Sequence, residues 1–172
     1  ISTIGVDSGK WYAEFRVDSS QYHTLGVCTE ASFTTASTLI QDSNNYLGQS
    51  NTLSYIYYNN DGDVWSSGTI SSGYGDSLTS VGDILGVALD LDNHKLYFSK
   101  NGTFQNSGDP TSGSTGTGAI SIPTGHTYFF AVGDLATGSF SGTSVNFGSP
   151  SFAISSGNSD GNGYGNFEYA VP

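Results

Sequence analysis

The sequence predicts an all-β domain: a two-sheet antiparallel sandwich with long polar loops and essentially no helix. Three observations carry that expectation. Apolar and polar residues alternate with period two in several short runs, and no 3.6-residue period runs through any segment. Turn-forming dipeptides punctuate those runs, as hairpin-linked strands require. The best helix formers are scarce, with no Met, three Glu and three Lys, whereas Gly, Ser, Thr and Asn supply nearly half of the 172 residues. The chain is one domain's worth of polypeptide, and its 2 Trp, 11 Tyr and 10 Phe are rings enough for a sizeable core.

Lys10 to Val17 alternates Trp11, Ala13, Phe15 and Val17 against Tyr12, Glu14 and Arg16, the pattern of a half-buried strand. His23 to Cys28 forms a second strand, in which the single cysteine reads as a packed, inert thiol. Leu53 to Tyr58 is β-branched and aromatic and runs into Asn59-Asn60-Asp61-Gly62, a hairpin-type turn. Asp83 to Leu91 is almost continuously apolar, as a central strand would be, and Gly86 inside it predicts close approach by a neighbour. Asp92-Asn93 makes the next turn. Lys95 to Ser99 follows, and Asn101-Gly102 is a type I′ turn signal. Thr127 to Val132 and Thr143 to Phe147 complete the strands. Long polar stretches at 30–50, 66–82, 106–118 and 155–166 are read as loops, where binding residues concentrate.

Charge narrows the function classes. The net charge is -11, and the only basic residues besides histidine are Lys10, Arg16, Lys95 and Lys100. Four scattered cations do not neutralise a run of phosphates, so nucleic acid and anionic lipid are set aside as partners. No apolar run approaches the ~20 residues of a membrane helix, so membrane insertion is not expected. The chain opens at Ile1 with no Met or leader pattern, and it reads as a processed chain or a segment of a longer one.

The run from Gly82 to Gly102, GDILGVALDLDNHKLYFSKNG, resembles the most recognisable stretch of the SPRY (B30.2) domain family. Flanking blocks are similar and in order. Ser8 to Val17 resembles the family's opening strand, with Ala13 where a Trp is common. Leu25-Gly26-Val27, Tyr46-Leu47-Gly48 through Asp61-Gly62, and Val145-Asn146-Phe147-Gly148 with Pro150 and Phe152 match later blocks. The resemblance covers roughly residues 5–152. It implies a bent, concanavalin A-like two-sheet sandwich, and a recognition module rather than an enzyme. Residues 1–152 are therefore read as the sandwich and 153–172 as an extension that packs on it or leaves it. The Ser/Thr/Asn/Gly-rich style and the tail from Asn166 to Pro172 look most like SPRY segments of tailed-bacteriophage structural proteins.

Other motifs reduce to plain structure. Gly157 to Gly161 fits G-x-S-x-G but lacks the strand and helix of a nucleophile elbow. Gly5 to Lys10 approaches a phosphate loop, yet its glycines are one residue too close and Trp11 stands where Ser or Thr must bind magnesium. His23, His94 and His126 have no metal-ligand spacing. Glu14, Glu30 and Glu168 do not form a glycosidase pair in sequence, and Glu14 is expected to face solvent or pair with a neighbour. Asp90 and Asp92 abut a turn, where aspartate caps backbone amides. A structural calcium at Asn59–Asp63 or Asp90–Asn93 is the minor alternative to turn chemistry, and no cofactor is expected.

The expected binding surface is carried by Tyr57, Tyr58, Asn59, Asn60, Asp61, Trp65 and Tyr74, rings beside amide and carboxylate groups that suit peptide or sugar contacts. The expected function is a non-enzymatic binding or structural module of a virion, such as a capsid decoration, fibre or tail protein. Its expected partners are other virion proteins or a host-surface protein or glycan, in a symmetric homo-oligomer where the assembly demands one. Its expected place is the virion or an extracellular surface. A carbohydrate-binding lectin or adhesin is the alternative.

Overall fold

The long strands follow from local pattern, and the structure sets how they pair. The computed structural model describes residues 1–30, 32, 47–48, 53–134 and 142–172. Its strands are β1 (Lys10–Val17), β2 (His23–Thr29), β3 (Ser54–Tyr58), β4 (Val64–Ser66), β5 (Thr69–Ser71), β6 (Ile84–Asp90), β7 (Lys95–Lys100), β8 (Thr103–Phe104), β9 (Ile120–Ser121), β10 (Tyr128–Asp134) and β11 (Thr143–Asn146). A 3₁₀ segment lies at Pro110–Thr115, where Asp109 accepts from the Thr111 amide and Pro110 stands in the first turn. No helix among them is long and apolar enough to cross a membrane. The short strands β4, β5, β8 and β9 fall in or beside stretches read as loops. At two or three residues each they are too short to carry a detectable alternation.

The chain divides into two compact units, each assembled from three chain segments. The first comprises Ile1–Asp7, Gln21–Thr79 and Thr124–Ser141. It carries a five-stranded antiparallel sheet in the order β10-β2-β3-β4-β5. Leu25, Val27, Tyr55, Tyr57, Val64, Tyr128 and Phe130 are buried along one side of it. β2 is buried over its whole length and is paired on both edges. Burial pushes the Cys28 thiol up to about 12, so the thiolate that reagents attack is not populated at neutral pH.

The second unit comprises Ser8–Ser20, Ser80–Pro123 and Gly142–Pro172. Its sheet runs β11-β1-β6-β7-β8, with β9 also paired to β7. Ala13, Phe15, Val17, Leu85, Val87, Leu89, Leu96 and Phe98 form the apolar side. The turn after β7 has positive φ at both Asn101 and Gly102, as a type I′ turn requires. Gly86 is open for the reason the sequence suggests. A Cβ there would lie against Ser99 Oγ and 2.6 Å from the Tyr12 hydroxyl.

Glu14 does not face solvent: it is fully buried, and it takes the other course expected of it by pairing with its cross-strand neighbour Asn146. Its carboxylate accepts the backbone N–H groups of Glu168 (3.0 Å) and Tyr169 (2.8 Å) and the Asn146 side-chain amide (3.1 Å). Residues 153–172, set apart in the sequence as an extension, thus cross the polar side of this sheet as a strap. Phe167 stands edge-on to Tyr12 at 5.2 Å, and the Arg16 guanidinium lies 4.7 Å over the Phe152 ring. The strap is closed on itself by the Asn158–Phe167 bridge and by Ser155, which donates to Glu168 from backbone (2.5 Å) and hydroxyl (2.6 Å).

Those donors give the strap a pH dependence. The Ser155 hydroxyl and backbone N–H hold the Glu168 carboxyl below the usual carboxylate range. At Asp90 burial acts upward, but the Asn93 side chain and amide and the Lys10 ammonium outweigh it, and the net shift is also downward. The folded state therefore binds these protons less readily than the unfolded chain. Their stabilisation is complete above the unfolded carboxylate values and is lost as pH falls through the folded ones. The urea midpoint is expected to hold from about pH 7 to 5 and to decline below about 4.5. Ser155→Ala is expected to flatten that decline, and an unchanged slope would exclude Glu168 as a contributor.

Candidate functional site

The seven residues expected to form a binding surface all lie in the first unit, and burial sorts them. Tyr57 is fully buried, and its hydroxyl donates to the Asp76 carbonyl at 2.6 Å. Burial first, and then the nearby carboxylate of Asp76, push its phenol pKa up. Tyr74 is also buried and meets Tyr57 edge-on at 6.3 Å. Asn59 is buried as well and acts as a staple. Its Oδ1 accepts the His23 amide at 2.6 Å, and its Nδ2 donates to the carbonyls of Gln21 (3.0 Å) and Leu78 (3.2 Å). Tyr57, Asn59 and Tyr74 are therefore not loop-surface residues, contrary to the sequence-based expectation. The Tyr57 hydroxyl and the Asn59 side-chain amide hold the β3–β4 hairpin to the chain at Asp76 and Leu78.

The other four stand at the surface. Tyr58 and Trp65 are half-buried, Asn60 is half-buried and Asp61 is exposed. Ile56 pairs with Trp65, which pairs with Ile70, and alternation puts Tyr58 on the same face as Ile56. The Tyr58 and Trp65 rings lie 5.3 Å apart at a 46° tilt, and Tyr22 meets Tyr58 edge-on at 6.1 Å. Tyr22 is 48% exposed and Ile70 56% exposed, so the patch has large apolar groups in water at both ends. Gly48 closes one border. Its carbonyl accepts the Gly68 amide at 2.7 Å, and a Cβ there would fall 2.7 Å from both Ile56 Cγ1 and Trp65 Cβ.

Sequence reasoning missed Tyr22 and Ile70. Ile70 sits alone between Thr69 and Ser71, so nothing marks it until β5 is paired to β4. Tyr22 lies just ahead of β2, and only the fold carries it to Tyr58.

The hairpin beside the patch is acidic and turn-like. The Asp61 carboxylate accepts the Asp63 amide at 3.0 Å, and Asp63 accepts from the Ser72 hydroxyl (3.0 Å) and the Gly73 amide (2.9 Å). These are the self-contained turns that aspartate makes. Asp90 likewise accepts the Asn93 amide at 3.0 Å, and Asp92 accepts the Gly9 amide at 2.9 Å. Among the described residues no group of three His, Cys, Asp or Glu side chains is arranged to hold a metal ion.

Antiparallel sheets linked by hairpins, with an aromatic patch on a hairpin face, define the class: an all-β domain that displays loops and short strands from a paired-strand frame. Within that class, the chain belongs to the SPRY domain family, whose profile matches residues 10–120. In three dimensions it is similar to the SPRY domain of human HERC1 in its crystal structure, with a TM-score of 0.56 over 80% of this chain and 74% of that chain, at 18% identity. That likeness shows the fold to be the SPRY β-sandwich. A search of the curated proteins finds no match. SPRY domains are generally protein–protein interaction modules and typically not enzymes.

Proposed function

We propose that this SPRY domain docks a protein partner on the face formed by Tyr22, Tyr58, Trp65 and Ile70. The observation that carries the reading is the concentration of half-buried and exposed apolar groups on and beside one hairpin face, with Asn60 and Asp61 beside it. Large rings at the centre and polar groups at the rim are the anatomy of an interaction hot spot. The proposal extends to a virion or other extracellular surface, as a decoration, fibre or tail module. That part is supported by composition: few charges and a Gly/Ser/Thr/Asn-rich chain.

A photo-crosslinking residue at position 70 tests the docking face, with one at exposed Thr3 as control. Protein adducts are expected from position 70 and not from position 3. Trp65→Ala is expected to weaken partner binding by about 30-fold, the effect of losing about 2 kcal/mol at a hot spot. Adducts from Thr3 alone, or full binding by a folded Trp65→Ala variant, would overturn the reading. Recovery of the adducts from purified particles would support the virion placement.

The tilted Tyr58–Trp65 pair beside Asn60 and Asp61 also favours a second reading, a glycan site. Saturable glycan binding lost in Tyr58→Ala and Trp65→Ala would select it over a protein partner.

A further inference from the structure

The second unit holds part of its own chain in the way a protein holds a peptide. Its sheet takes no strand from residues 147–172. Residues 166–169 instead lie on the polar side of that sheet, where side chains receive their backbone. Glu14 accepts the successive amides of Glu168 and Tyr169, at 3.0 and 2.8 Å. Asn146, its neighbour on β11, donates to the Asn166 carbonyl at 2.9 Å. Two rings add position to these bonds. Phe167 stands edge-on to Tyr12, and Tyr169 packs so closely on Gly102 that a Cβ there would fall 2.6 Å from its Cδ1.

The receiving side is built by paired strands. Tyr12 and Glu14 sit on β1, which pairs with β6 and β11. Glu14 and Asn146 are both fully buried, and Asn146 is anchored where its Oδ1 accepts the Gly148 amide at 2.8 Å. A buried carboxylate needs donors, and consecutive main-chain amides supply two of them to Glu14. Such donors read an extended backbone and not the side chain between the two rings. That side chain, Glu168, bonds Ser155 within the strap.

The received side is held lightly. Of residues 153–172, only Phe167 is buried. One ring's apolar gain stands against the entropy of ordering the whole segment, which puts the strap among the parts of a fold that open locally.

We infer that this face is a peptide-binding site filled in cis by residues 166–169, and that an extended segment of a partner polypeptide with the pattern aromatic, any non-proline residue, aromatic takes their place. The first ring goes to Tyr12 and the second to Gly102. The second and third residues keep the N–H groups that Glu14 requires. The site lies in the second unit and the face proposed above in the first, so the two readings fail independently.

The test uses the full chain and dye-labelled Gly-Asn-Phe-Glu-Tyr-Ala-amide, the sequence of residues 165–170, followed by fluorescence anisotropy. The control peptide is N-methylated at its Glu and Tyr nitrogens, which removes both donors to Glu14. Phe167→Ala strips the strap of its buried ring and leaves Tyr12, Glu14 and Asn146 in place. In that variant the amides of residues 166–169 are expected to lose hydrogen-exchange protection while those of β6 keep theirs. The peptide is expected to bind it saturably and at least about tenfold more tightly than it binds the unaltered chain, whose own strap competes. The N-methylated peptide is expected to bind at least about tenfold more weakly. Strap amides that stay protected in Phe167→Ala, no binding to that variant up to about 5 mM peptide, or equal binding of the two peptides would overturn the inference. Dimers of the unaltered chain that the peptide dissociates would assign the site to a second copy's strap and overturn the partner reading.

Discussion

Glu14→Ala is expected to release the C-terminal strap and to lower stability by about 3 kcal/mol, which in a chain of this size is a fall of about 6–12 °C in Tm. Glu14 is fully buried, and its two oxygens are the acceptors for the successive amides of Glu168 and Tyr169 and for the Asn146 side chain. Hydrogen bonds to a charged acceptor contribute about 1.5–3 kcal/mol each, and the amides left behind find replacement partners only if the strap lifts into water. Lifting in turn uncovers Phe167 from Tyr12. Hydrogen exchange separates the local event from the global one. The amides of residues 166–169 are expected to lose protection first, while those of β6 keep theirs. Glu14→Gln retains an oxygen acceptor and is expected to cost about half as much. A Glu14→Ala protein with unchanged Tm and a protected strap would show that the carboxylate does not hold it.

Gly26→Ala is expected to be the more damaging change, costing about 3 kcal/mol or more and reducing the yield of folded protein. Gly26 lies in β2 between Ala131 of β10 and Ile56 of β3. A Cβ there would press into the Tyr55 carbonyl oxygen and sit 2.9 Å from Ile56 Cα. Both obstacles are backbone of a neighbouring strand, so relief requires moving β3 out of its ladder rather than turning a side chain. Gly161→Ala is the matched control. It sits in the open, with nothing within 4 Å of the added carbon, and is expected to be neutral within about 0.5 kcal/mol. Equal stability of the two variants would refute the close strand approach at Gly26.

These two positions also mark where sequence reading reaches and where it stops. Gly86, alone in an apolar run, announces a close neighbour, and the Tyr12 hydroxyl and Ser99 are there. Gly26 gives the same kind of signal, but which neighbour approaches depends on pairing across the sheet. Glu14 was the harder case. By alternation it falls on the polar side of β1, and a polar side ordinarily meets water. Here its donors arrive from residues 132, 154 and 155 positions away, and no local pattern encodes that convergence.

The aromatic hairpin shows the same division. Alternation separates Tyr57 from Tyr58 but does not say which side faces water. The structure buries Tyr57 with Tyr74 and leaves Tyr58 and Trp65 at the surface. Ile70 joins them because β5 pairs with β4, and three residues in a Thr/Ser setting carry too little periodicity to be recognised.

By itself, then, the sequence determined the long strands, the type I′ and hairpin turns, the predominance of strand over helix among the described residues and the kinship with SPRY domains. All of these are written in spacings of a few residues. Only the tertiary structure decided that Glu14 is a buried latch, that the tail is a strap and that Tyr22 and Ile70 complete the aromatic face. Each of these depends on groups far apart in the chain coming within hydrogen-bond or ring-contact distance. Strand pairing sets that proximity, and residue order along the chain does not.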